Sequence, residues 1–187
     1  MRIIGGSLRG LKLTPVGDGD ASAQLRPTSD RVRESIFNLL VNGGYGDPVT
    51  GARVLDLFAG TGALGLEALS RGAAHAVFVD DGNAARALQH HNFAVTRSLD
   101  RCEALRRDAT RLGPNRGPMC NLVFLDPPYG KGLGEKALAS AHAGGWLAPG
   151  ALVVWEESSA PPPLDGFTQL DQRKYGDTIV TILRAPE

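Results

Sequence analysis

Val54-Leu55-Asp56-Leu57-Phe58-Ala59-Gly60-Thr61-Gly62-Ala63-Leu64-Gly65 reads as an apolar strand, a glycine turn and the opening of a helix. Glycine adopts left-handed conformations and leaves room where a Cβ would stand. Gly60 and Gly62 therefore let the backbone turn sharply and come close to a ligand. The spacing Gly60-x-Gly62-x-x-Gly65 also fits a dinucleotide fingerprint, which by itself is a weak signal. Asp56 speaks against a dinucleotide, because at the carboxyl end of its strand it would turn negative charge toward a pyrophosphate. It suits a cationic ligand such as the amino-acid part of S-adenosylmethionine, whose ammonium and sulfonium are both positive.

Outward from this stretch, strands and helices alternate. Strands are predicted over 53–57, 76–79, 103–106, 122–125 and 151–155, with helices over 63–70, 84–96 and 134–143. Alternation of this kind implies parallel βαβ units joined by right-handed crossovers. The tail breaks the rhythm: 167–174 and 178–183 read as two strands joined at Tyr175-Gly176-Asp177, an antiparallel hairpin at the end of the sheet. Asp80 closes the second strand, where it can accept hydrogen bonds from ribose hydroxyls, and Asp81 beside it can do the same. Asp108, beyond the third strand, can accept from an adenine amino group. Three strand-end acids in the crevice where open α/β sheets bind ligands outweigh the reading of each as a solvated loop residue.

The fourth strand runs into Phe124-Leu125-Asp126-Pro127-Pro128-Tyr129-Gly130. Two prolines fix φ and remove backbone donors, so the carboxylate and the aromatic ring stand on a stiff turn. A plain connection would use Gly, Asn or Ser. At the other end of the chain, residues 2–13 read as a short hairpin with a glycine turn, and 15–24 as a polar loop. Thr28, Ser29 and Asp30 offer capping oxygens to a helix whose apolar stripe is Val32, Ile36, Leu39 and Leu40, with Arg31 and Arg33 off that stripe.

The totals bound the possibilities. A chain of 187 residues with 42% hydrophobic composition has a real core, and its 20 basic and 20 acidic residues cancel. Charge is uneven, however: up to residue 33, Arg2, Arg9, Lys12, Arg26, Arg31 and Arg33 face only Asp18, Asp20 and Asp30, a local excess that can meet phosphates. Cys102 and Cys120 sit in apolar surroundings and read as buried hydrophobes of a reducing compartment, with no metal and no disulfide expected. No apolar run has the length of a membrane span and no signal-peptide core opens the chain, so a soluble cytoplasmic protein is expected.

The glycine loop followed by Asp126-Pro127-Pro128-Tyr129 after the fourth strand resembles class I S-adenosylmethionine-dependent methyltransferases that modify an exocyclic amino nitrogen. Arg2-Ile3-Ile4-Gly5-Gly6, Leu25-Arg26-Pro27-Thr28-Ser29-Asp30-Arg31-Val32-Arg33-Glu34, Phe37-Asn38, LGLEALSRG at 64–72 and Tyr175-Gly176 together resemble the RsmD-like family over nearly the whole chain. These are bacterial 16S rRNA methyltransferases acting on N2 of guanine 966. The resemblance implies an α/β, Rossmann-like class I fold: a seven-stranded, mostly parallel sheet ending in an antiparallel hairpin. It implies an N-terminal hairpin and helix extension over 1–50 and a methyltransferase domain over 51–187.

By position, Asp56, Phe58, Ala59, Gly60, Thr61, Gly62, Asp80, Asp81 and Asp108 would hold S-adenosylmethionine. Asp126, Pro127 and Tyr129 would serve catalysis. Arg2, Arg9, Arg26, Thr28, Arg31, Arg33 and Pro128 would meet the RNA. Asp80 stands where the family usually carries the longer Glu, so the ribose contact falls to Asp80 or Asp81, and Gly82 replaces a frequent acid. A monomer without a metal is expected, acting on small-subunit ribosomal RNA either naked or in an assembled particle. The rival readings are a DNA adenine- or cytosine-amino methyltransferase, a protein glutamine methyltransferase (which typically carries Asn in place of Asp126), a non-catalytic RNA-binding or assembly factor, and an NAD-dependent dehydrogenase.

Overall fold

A computed structural model describes residues 1–15 and 28–187. Arg26, with Leu25 and Pro27 of the family motif and most of the expected 15–24 loop, lies outside the described residues. Seven strands form one sheet: β1 (Arg53–Leu57), β2 (His75–Val79), β3 (Cys102–Leu105), β4 (Cys120–Leu125), β5 (Leu147–Glu157), β6 (Thr168–Tyr175) and β7 (Thr178–Arg184). Their order is β3-β2-β1-β4-β5-β7-β6. The first five are parallel, and β7 inserts antiparallel between β5 and β6.

The order reverses between β1 and β4. Crossovers leave these two neighbouring strands in opposite directions, which opens a crevice at their carboxyl ends. The register pairs Leu57 with Leu125 and Leu57 with Val79, so the chain leaves β1, β2 and β4 at one level. The glycine loop, Asp80 and Asp126 are therefore brought to a common rim by strand pairing alone.

Among the described residues, four α-helices flank the sheet: α1 (Asp30–Asn42), α2 (Ala63–Ser70), α3 (Asn83–Val95) and α4 (Leu133–Ala143). Successive strand residues point to opposite faces. Val54, Phe78, Phe124, Val154 and Ile182 thus share a core with Leu66 of α2 and Phe93 of α3, while Leu55, Val77, Val123 and Val153 pack with α4 on the other side. Residues 158–167 carry no helix between β5 and β6. On that half of the sheet α1 supplies the cover: Ile36, Phe37 and Leu40 join the first core, and the Phe37 and Phe124 rings lie 5.5 Å apart. Ile3 and Leu13 join it too, so the described part of the 1–50 extension packs into the core of the 51–187 fold.

Two sequence expectations need correction here. Residues 2–13 fold back as predicted, but with a single antiparallel bridge, Arg2 to Lys12, around a 3-10 turn at Gly6–Leu8. The Ile4 and Gly5 N–H groups donate to the Glu67 carboxylate (2.9 and 2.8 Å) and so are not available to a ladder. The α1 stripe is also rotated from the predicted one. Arg33, Ile36, Phe37 and Leu40 are buried, whereas Val32 and Leu39 are only partly covered.

Candidate active site

The site starts where β1 ends. Phe58 has φ 58°, a left-handed conformation uncommon for a residue with a Cβ, so the chain leaves the strand under local strain. The turn is then closed by main-chain bonds: Ala59 N–H to the Val79 carbonyl (3.0 Å) and Gly62 N–H to the Ala59 carbonyl (2.8 Å). Gly62, at φ 85°, is the N-cap of α2. Gly65 has an ordinary helical conformation, but a Cβ there would stand 2.4 Å from the Phe78 ring. The third glycine is thus a packing glycine that lets α2 lie against β2.

Asp56 alternates onto the α2 side of the sheet and is 1% exposed. Its Oδ2 accepts the Gly65 N–H at 3.0 Å. Burial holds its carboxyl well above the usual range despite that bond, and the charges of Asp126 and Asp80 push the same way. Asp80 is half-buried and turned into the loop, with Oδ2 accepting from Gly60 N–H and Oδ1 from Gly82 N–H, both at 2.9 Å. Its pKa is also raised, burial outweighing the two N–H donors. Asp81 is exposed. Thr61 is buried, and its hydroxyl donates to Met1 Sδ at 3.5 Å.

Asp126 leaves β4 half-buried, its N–H directed at the Leu57 carbonyl (3.5 Å) across the switch point. Its Oδ2 accepts the Thr28 hydroxyl at 2.8 Å. Thr28 lies just before the Ser29 cap of α1, so the N-terminal extension reaches the strand-end carboxylate directly. Pro127 is buried and Pro128 half-buried. The Tyr129 hydroxyl shares a 3.1 Å hydrogen bond with the Thr178 hydroxyl, which ties that ring to the start of β7. Glu157 accepts the Gly130 N–H at 3.1 Å and so anchors the far end of the turn.

Not every expected site residue lies on this rim. Arg33 is fully buried. Its guanidinium meets Glu67 (3.4 Å), Asp30 (2.8 Å) and the Arg2 carbonyl, so it serves an internal ion pair and offers no face to a phosphate. A buried guanidinium in this position is held by its partners, which is the physical reason that the α1 stripe rotates. Asp108 caps the 3-10 turn Ala109–Arg111, its Oδ1 accepting the N–H and hydroxyl of Thr110 (2.9 and 2.7 Å). Those bonds hold its carboxyl below the usual range. Asp108 thus caps this turn through Oδ1, and its side chain stays 41% exposed. Arg2, Arg9 and Arg31 are exposed.

Sequence reasoning missed several buried polar residues. Glu67 sits at the centre of a joint that gathers three of the quoted motifs: it accepts from Ile4, Gly5, Arg33 and Arg71. Ser70 adds a bond to the Gly5 carbonyl (2.6 Å) and takes the Leu8 N–H, while the Arg71 guanidinium lies 4.8 Å from the Phe37 ring centre. Glu156, at the end of β5, is buried 3.4 Å from the Thr28 hydroxyl. Gln89 and Asn92 are buried on α3 beneath the glycine loop. Their signal was present: 85, 89, 92 and 93 recur at helical spacing, with amides on the face that carries Ala85 and Phe93.

Residues 1–184 match the family model described as Conserved hypothetical protein 95. The chain belongs to this family, the RsmD family. It is 42% identical over 156 residues to ribosomal RNA small subunit methyltransferase D of Escherichia coli (strain K12), covering 83% of this chain and 74% of that one. The Haemophilus influenzae protein of the same name is 34% identical over 181 residues, 94% of this chain and 89% of the relative. Among solved structures, "Putative methyltransferase yhhF from Escherichia coli" superposes with a TM-score of 0.82 at 34% identity, covering 100% of this chain and 98% of that one. The seven-stranded class I fold expected from the sequence is the fold observed. Among the described residues, no group of three or more His, Cys, Asp or Glu side chains comes together as a metal site, and no helix is long and apolar enough to cross a membrane.

Proposed function

We propose that this RsmD-family chain transfers a methyl group from S-adenosylmethionine to the exocyclic N2 of a guanine in small-subunit ribosomal RNA, guanine 966 in the family's designation. The observation that carries the reading is the pairing of β1 with β4, which sets the glycine loop and the Asp126–Tyr129 turn side by side. The names of the relatives supply the class of RNA.

The residues fit the cofactor. Phe58 to Gly62 form a tight loop, Asp56 offers an acid beneath it, and Asp80 is already aligned by Gly60 and Gly82. When bound, the cofactor supplies an electrophilic methyl on a sulfonium. The chain's own task is then to make a poor nucleophile react, because the guanine amino lone pair is delocalised into the ring. The Asp126 carboxylate accepts one amino N–H and the Pro127 carbonyl accepts the other, which turns the lone pair out of conjugation and stabilises the positive charge growing on nitrogen. The Thr28 hydroxyl holds the carboxylate, and Pro128, by restricting the residue before it, limits how the Pro127 carbonyl can turn.

Tyr129, held through Thr178, stacks on the base, worth about 1–3 kcal/mol by analogy with other aromatic platforms. The proton leaves afterwards to Asp126 or water. A guanine in a loop, or flipped out of a stack, can reach such a turn, whereas a stacked duplex base cannot. Arg2, Arg9 and Arg31, all exposed, are the phosphate contacts in this reading. Asp126→Ala should keep cofactor affinity within a fewfold and lose methyl transfer by orders of magnitude in a single-turnover assay. Transfer at the wild-type rate would refute the role given to Asp126.

A further inference from the structure

Two carboxamides beneath the cofactor loop take no part in the chemistry described above. Gln89 is 2% exposed and Asn92 0%; three residues apart on α3, they share one face. Gln89 Nε2 donates to the Gly60 carbonyl at 2.9 Å. In a planar trans peptide the carbonyl and the following N–H point in opposite directions. Drawing the Gly60 carbonyl down to α3 therefore turns the Thr61 N–H away from the helix, toward the outer side of the loop.

Asn92 joins two segments. Its Oδ1 accepts the Thr14 N–H at 2.8 Å, and its Nδ2 donates to the Thr14 carbonyl at 3.2 Å and the Thr61 carbonyl at 3.0 Å. One acceptor and two donors are what a carboxamide has, and the partners use them in that sense. Aspartate would set a carboxylate against two carbonyl oxygens. Leucine would leave a buried N–H and two carbonyls without this partner. The Thr61 hydroxyl bonded to Met1 Sδ is a second tie between the same loop and the N-terminal segment.

We propose that Gln89 and Asn92 are positioning residues, and that Asn92 couples the N-terminal segment to the cofactor loop so that RNA and cofactor bind cooperatively. The inference rests on the function proposed above, in which that segment faces RNA and the loop faces S-adenosylmethionine. One amide is shared by both sites. Whichever ligand orders its own side also fixes the amide for the other, and the gain is equal in both directions.

The test is a binding cycle on the full chain, using S-adenosylhomocysteine as a non-reactive probe with and without small-subunit ribosomal RNA. In the wild type, RNA should tighten the probe by about fivefold or more. Thr14→Pro deletes the N–H given to Asn92, the shorter of the two Asn92–Thr14 bonds, and leaves the Asn92–Thr61 bond in place. It should keep the probe's affinity without RNA, within about twofold, while the RNA-dependent factor falls by about half or more. Asn92→Leu should lose the factor, and Gln89→Leu should weaken the probe with the factor retained. A Thr14→Pro or Asn92→Leu protein that keeps the wild-type factor would overturn the inference, even if it melts at a lower temperature. So would a wild type that binds both ligands independently. A wild type that binds neither would remove the proposed function itself, and the inference with it.

Discussion

At the scale of the residue, Asp56 is a buried strand-end acid that the proposed function sets against a positive ligand. Buried and given one backbone N–H, its carboxyl stays well above the usual pKa range in the free protein. For an acid with a raised folded pKa, the stability it contributes is full below its unfolded pKa and is lost as pH rises through the folded one. A neighbouring cation favours the carboxylate and reverses that loss. S-adenosylmethionine should therefore bind more tightly as pH rises through the elevated Asp56 pKa, with release of a proton. Calorimetry in buffers of different ionisation heat reads this directly. Asp56→Asn should bind weakly and without proton release, and proton-free, pH-independent binding by the wild type would count against the role. Asp56 and Asp126 were legible in the sequence because both close apolar strands beside a stiff or glycine-rich turn. The capping role of Asp108 was legible too, in the pattern Asp108-Ala109-Thr110. Arg33 was placed off the buried stripe because its partner Glu67, 34 residues away, is invisible to helical spacing.

At the scale of the element, α2 does two jobs. Its first turn closes the glycine loop, and its last residues hold the N-terminal segment through Glu67, Ser70 and Arg71. Its bounds, 63–70, were legible to the residue because a glycine turn opens it and Arg71-Gly72 ends it. Gly65→Ala should force the new methyl onto Phe78 and to within 3.2 Å of Asp56 Oδ2. A loss of about 1–3 kcal/mol in urea unfolding is expected from such overpacking, with weaker cofactor binding. Unchanged values for both would mean that α2 can shift freely on β2. The N-terminal segment folds back and pairs as expected, but alternation cannot show that a carboxylate on α2 takes the Ile4 and Gly5 N–H groups.

At the scale of the molecule, the βαβ rhythm and the terminal hairpin were enough to anticipate seven strands, whereas the switch point between β1 and β4 emerges only from the strand order. What the pattern could not show is that α1 and residues 1–15 complete the core where β5 and β6 lack a helix between them. The Glu67 joint is the keystone of that packing, with Arg33 and Glu67 both fully buried. Glu67→Ala should cost about 3–5 kcal/mol in equilibrium unfolding, as expected for a buried ion pair that loses one partner. A change under about 1 kcal/mol would show that the extension is held by apolar contacts alone. The most direct test of the proposed function is to map the methyl group. Small-subunit ribosomal RNA, naked and in assembled particles, from cells lacking this protein is incubated with it and S-adenosylmethionine. The expected product is a single N2-methylguanine, at position 966, that does not form with Asp126→Ala; methylation of a DNA amino group, of a different RNA atom, or of nothing despite bound cofactor would contradict it.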